Sequence, residues 1–120
     1  MAEKDIVSKK ILKHIVKDIA KYIFNMELDE TQILETEQQR VEQRRADLVI
    51  KAKQGNRTFI LHIELQNDNQ KVMPLRMLRY YTDIAFNYPD LEIEQYLIYI
   101  GKPALTMAEG IDTKNHRYKY

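Results

Sequence analysis

The chain has no cysteine among its 120 residues, only three glycines and three prolines, and almost no excess of charge of either sign. Without thiols, disulfides and thiolate metal sites are excluded, and Asp, Glu and His are left as the strong metal ligands. So few glycines and prolines, with no low-complexity tract and no internal repeat, leave no visible linker. A chain of this length builds one core, so residues 1–120 read as a single domain. The formal net charge of +1, from 19 Lys and Arg against 18 Asp and Glu, provides no global basic field, and any nucleic-acid partner must be met by a local patch. Long apolar runs are also missing: MAEKDIVSKKILKHIVKD is broken by lysine every few residues, unlike a signal peptide or a membrane span. The expectation is a soluble cytoplasmic protein with no membrane partner.

What is present is periodicity. Over residues 5–24, Val7, Ile11, Leu12, Ile15, Val16, Ile19, Ile23 and Phe24 recur as one helical stripe, with Asp5 as the expected N-cap and lysines 9, 10, 13, 17 and 21 off the stripe. Such a basic amphipathic helix can lie on phosphates or membranes, but an ordinary core-packing helix with a solvated lysine back is the preferred reading. Residues 27–42 turn acidic and polar, with Ile33 and Val41 as anchors for a strand. ADLVIKAK (46–53) and 58–66 then flank Gln54-Gly55-Asn56, the pattern of a hairpin. In VMPLRMLRYYTDIAFNYPD, Met73, Met77, Tyr80, Tyr81, Ile84, Ala85 and Tyr88 keep helical spacing, Pro74 fits the first turn and Pro89 the stop. This Met and Tyr stripe reads as core, with no nucleotide cofactor implied, and Arg76, Arg79 and Asp83 fall on the other face. EQYLIYI (94–100) is a strand ended by Gly101-Lys102-Pro103, and RYKY near the C-terminus holds one further short strand. Helix, strand, hairpin, helix, strand predicts an α/β fold with a mixed central sheet, because a helix between strands makes the crossover of a parallel pair.

The chemistry concentrates on the hairpin. In FILHIELQ, Phe59, Leu61, Ile63 and Leu65 alternate with His62, Glu64 and Gln66, so the last three share a face, with Glu64 and Gln66 about 7 Å apart. A solvated face is one explanation and a metal and phosphate site the other. Asp47 starts the partner strand, and reversal of the chain at the turn can bring it beside Glu64. Two carboxylates so placed repel unless a cation or a proton lies between them. Mg²⁺ or Mn²⁺ is the matching cation, since hard oxygen ligands and one or two carboxylates suit it, and phosphodiester hydrolysis is the matching reaction. Gln66 can hold a water but cannot take its proton. Glu37, before Asp47, is a candidate outer carboxylate. Arg76, Arg79 and His62 are candidates for contact with phosphate, although a salt bridge to Asp83 is the alternative for the arginines and a packed histidine the alternative for His62. Lys102 and the N-terminal lysines are candidates for the DNA backbone.

RRADLVIKA, LHIELQND, MPLRMLRYY and YLIYIGKPALTM, in this order, resemble the Rpn-type family of recombination-promoting nucleases, also described as transposase-like, within the PD-(D/E)XK nuclease superfamily. The resemblance covers residues 31–107. It implies a restriction-endonuclease-like αβββαβ core, a Mg²⁺- or Mn²⁺-dependent DNA endonuclease, Asp47 as first metal-binding acid, Glu64 as second, the Leu65 backbone carbonyl as a further ligand, and Gln66 in the catalytic position where the general pattern has Lys. Loss of that lysine removes one means of activating water and stabilising the phosphorane. Members run on beyond the position of Tyr120, so a chain truncated at the C-terminus is expected. Two other classes stay open: a nuclease-fold module that binds nucleic acid or a protein without cutting, and a homo-oligomeric interaction domain using a sheet edge or the tyrosine-rich helix.

Overall fold

A computed structural model describes residues 2–34 and 47–120, with side chains from residue 11 onward except Leu12. Val41 and Glu37 lie outside the described residues. The elements in chain order are α1 (Ala2–Tyr22), β1 (Glu30–Ile33), β2 (Leu48–Gln54), β3 (Arg57–Gln66), α2 (Met73–Asn87), β4 (Glu92–Tyr99), β5 (Gly110–Asp112) and β6 (Arg117–Lys119). The first four strands form one mixed sheet in the order β1-β2-β3-β4, with β1, β2 and β3 antiparallel in turn and β4 parallel to β3. The expected α/β architecture and its parallel crossover are both present. A separate ribbon, β5 with β6, was half expected: RYKY supplies β6, whereas its partner β5 carries no strand periodicity of its own.

The hairpin is set by its turn. Gly55 has φ +60, Asn56 does not share a positive φ, and Gln54 pairs with Arg57, the two-residue loop that Gly at the first central position favours. The Gly55 N–H donates to Asp29 Oδ2 (2.7 Å), which pins the approach to β1 against the turn. The helix α1 begins at Ala2, so Asp5 sits within the first turn and is not its N-cap. Its end is marked by Asn25 in the left-handed region (φ 54), where the Met26 N–H returns to the Ala20 carbonyl.

Both sheet faces are covered. Under α1, Val16 packs with Ile50, Ala52, Phe59, Leu61 and Ile63, and Phe24 stacks on Tyr96. Only part of the predicted α1 stripe is used: Val16 and Ala20, one turn apart, are buried and Ile19 is half-buried, while Ile11, Ile15 and Ile23 stay exposed. On the other face, Val49, Ile60 and Ile84 form one apolar cluster, and Met73, Met77 and Tyr80 pack with Leu97, Met107, Tyr118 and Tyr120 in a second. Asp83, expected on the outer face of α2, is buried with this layer, while Tyr81 from the predicted stripe is exposed. Among the described residues no helix is long and apolar enough to cross a membrane.

Candidate active site: an acid pair at the end of the central hairpin

Register decides the geometry. Leu48 lies opposite Ile63, so one step further along the antiparallel pair Asp47 stands opposite Glu64, and opposed residues share a sheet face. The contacts agree. The Asp47 N–H donates to Glu64 Oε2 (2.5 Å), and the Leu65 N–H donates to Asp47 Oδ2 (3.0 Å). Each carboxylate is thus anchored on the backbone of the other's strand, and Oδ1 of Asp47 and Oε1 of Glu64 take no part in these bonds. In an antiparallel pair a residue's N–H and C=O leave the strand on the same side, so the Leu65 carbonyl also faces the side of Asp47.

The two acids differ in setting. Asp47, expected within its strand, precedes β2 and is exposed, whereas Glu64 is 4 % exposed. Burying a carboxylate is expensive unless donors surround it. The second donor is His62, whose Nε2 lies 3.0 Å from Glu64 Oε2. His62 is fully buried, with Tyr80 edge-on to its ring, so it does not reach a phosphate outside the protein as one expectation had it. A solvated face is likewise excluded at His62 and Glu64, because both side chains are buried. At its Nδ1, His62 meets Gln95 Nε2 (3.0 Å), its register partner on β4; the same nitrogen lies 2.9 Å from the Met77 carbonyl, and Gln95 Oε1 accepts from the Tyr118 hydroxyl.

Gln66 follows on the same face by alternation, half-buried, with its Nε2 donating to Asp68 Oδ1 (2.7 Å). Arg76 stands in the first turn of α2, the helix that leaves the Gln66 end of β3; among the described residues its buried Nε has no hydrogen-bond partner. Arg79 is exposed on the same helix. Lys102 is exposed just past β4, at the same end of the sheet, where the Ile100 N–H donates to the Gln66 carbonyl. The lysines of α1, by contrast, belong to the layer on the opposite sheet face from Glu64. Glu37 lies outside the described residues.

Sequence reasoning missed Gln95, Tyr118 and Asp68. Asp68 was within reach, being two residues from Gln66. For Gln95 the one signal was a polar residue in an apolar strand, and for Tyr118 there was none, since its role depends on where the last hairpin lands.

Among the described residues no group of three or more His, Asp or Glu is arranged to hold a metal ion. The acid pair and the Leu65 carbonyl nevertheless match, in donor type, a hard divalent cation, which commonly takes one or two carboxylates and completes its shell with water and substrate phosphate. No family model, curated protein or solved structure matches this chain.

Proposed function

We propose that the protein is a Mg²⁺- or Mn²⁺-dependent DNA endonuclease of the recombination-promoting type, built on a PD-(D/E)XK αβββαβ core. The observation that carries this reading is the direct opposition of Asp47 and Glu64, each bonded to the other's strand. Two carboxylates this close favour a cation between them. Asp47, Glu64 and the Leu65 carbonyl would hold the divalent ion, which would supply Lewis-acid polarisation of a phosphoryl oxygen and a water of lowered pKa. The bond from Gln66 Nε2 to Asp68 fixes the amide plane, so that Gln66 Oε1 orients a water as an acceptor without deprotonating it. Arg76, half-buried, with Nη1 on Met73 Sδ and its buried Nε lacking an acceptor, supplies a charge-assisted hydrogen bond to a phosphate, and Lys102 a sequence-independent contact at the same edge.

One observation favours a second reading, a nuclease fold that binds nucleic acid without cutting. With no lysine at this position, and with one of the two Gln66 amide protons engaged by Asp68, Gln66 offers only a neutral N–H to the charge that develops on the phosphorane. Plasmid nicking with Mg²⁺ or Mn²⁺ separates the two. Cleavage by the parent, lost in Asp47→Asn and Glu64→Gln, supports the enzyme. Salt-sensitive DNA retention without product supports the binding module, and equal cleavage by parent and variants refutes the acid pair as the site.

A further inference from the structure

The α2 face of the sheet carries an interruption that apolar packing does not explain. Between the cluster around Ile60 and the cluster around Met77, three buried polar side chains, His62, Glu64 and Gln95, stand together, and a fourth group, the Tyr118 hydroxyl, closes the set. Apolar residues would be easier to bury there, since buried polar networks are tolerated only when every member is satisfied.

Here the partners also fix every direction. The Met77 carbonyl only accepts, so the Gln95 atom 2.9 Å from it is the amide nitrogen, which rules out the flipped amide. Gln95 Oε1 therefore faces Tyr118, whose O–H donates to it. The second amide proton points at His62 Nδ1, which must accept. The ring proton of a neutral His62 then sits on Nε2 and donates to Glu64 Oε2. One hydroxyl proton, two amide protons and one ring proton are all used, and the chain of donors ends on the buried carboxylate.

We propose that Tyr118, Gln95 and His62 form a one-directional relay of positioning residues that holds Glu64 Oε2 inside the protein and presents Oε1 to the metal, making the β5–β6 hairpin part of the active site. Tyr118 contacts no substrate and acts through Gln95. The metal half of the proposal rests on the nuclease reading above; the relay itself does not. Partners of metal-binding side chains commonly change metal affinity about 10- to 100-fold when removed.

The test uses the full chain. Without metal, long-range ¹H–¹⁵N spectra of His62 are expected to show the ring proton on Nε2, with slow exchange. Tyr118→Phe keeps the aromatic ring and removes only the hydroxyl; the His62 N–H is expected to exchange roughly fivefold faster, the order of effect of losing one net hydrogen bond. Gln95→Leu is expected to exceed that, and if it does not fold, Tyr118→Phe decides. A proton on Nδ1, or exchange unchanged in Tyr118→Phe, overturns the relay. Titration with Mn²⁺ is expected to show weaker binding in both variants, about 10- to 100-fold for Gln95→Leu and toward the lower figure for Tyr118→Phe. Unchanged affinity overturns the positioning role, whereas a parent that binds no Mn²⁺ refutes the metal reading and leaves the spectra to decide the relay.

Discussion

Replacing Glu64 by alanine and by glutamine separates what the carboxylate does for the fold from what it does for chemistry. Its Oε2 accepts from the Asp47 N–H and from the His62 ring at 2.5 and 3.0 Å. In Glu64→Ala the His62 donor, with no exposure to water, loses its acceptor, a cost of about 1–3 kcal/mol; the Asp47 N–H, at an exposed residue, finds water and loses about 1 kcal/mol. The sum is about 2–4 kcal/mol before any loss of packing. In Glu64→Gln the amide oxygen has lone pairs for both donors. Charge assistance is lost, but so is repulsion from Asp47, and the variant is expected within about 1 kcal/mol of the parent. For a chain of this length each kcal/mol moves Tm by about 3–6 °C, so metal-free thermal melts followed by circular dichroism should show Glu64→Ala lower by on the order of 10 °C and Glu64→Gln close to the parent. Nicking activity should be absent in both. A Glu64→Ala melt within a degree or two of the parent, or a Glu64→Gln melt as low as that of Glu64→Ala, would refute the buried acceptor, and activity in Glu64→Gln would refute the ligand.

Three further outcomes are expected. Mn²⁺ at about 100 times its Kd should stabilise the parent by about 2.7 kcal/mol and Glu64→Gln by far less, read as the metal-dependent rise in Tm. A methyl group at Gly110 would run into the Tyr118 carbonyl across the β5–β6 ribbon, so Gly110→Ala should loosen Tyr118 and raise His62 N–H exchange without touching any member of the relay; parent-like exchange would show that the ribbon does not hold the hydroxyl. Burial is the main cause holding the phenols of Tyr118, Tyr120 and Tyr96 above the usual range, so the folded state keeps their protons while the unfolded state loses them: stability is fully present below pH about 10 and falls as pH rises beyond it, and denaturant titrations should show a shallower alkaline decline in Tyr118→Phe than in the parent.

Several parts of the molecule were legible because their causes are local. Strict alternation placed His62, Glu64 and Gln66 on one face of β3, Gly55 marked the turn, and the Met73, Met77, Tyr80 and Ile84 spacing marked the buried side of α2. Asp47 and Glu64 came out opposed because a two-residue turn sets the register of the whole hairpin, and that turn is written in three residues. Other features resisted for equally definite reasons. Alternation says that Glu64 and His62 share a face but not whether water or a helix covers it. Likewise Asp83 has the composition of a solvated helix face and is buried.

From the order of residues alone came the mixed α/β plan, the hairpin and the pairing of its two acids, each governed by interactions within a few residues or by the counting of a ladder. The tertiary structure alone decided the burial of His62 and Glu64, the parallel register that sets Gln95 beside His62, and the arrival of Tyr118 on Gln95. These depend on where α2, β4 and the last hairpin settle on the sheet. Packing of distant surfaces sets those positions, and no short-range period in the sequence encodes them.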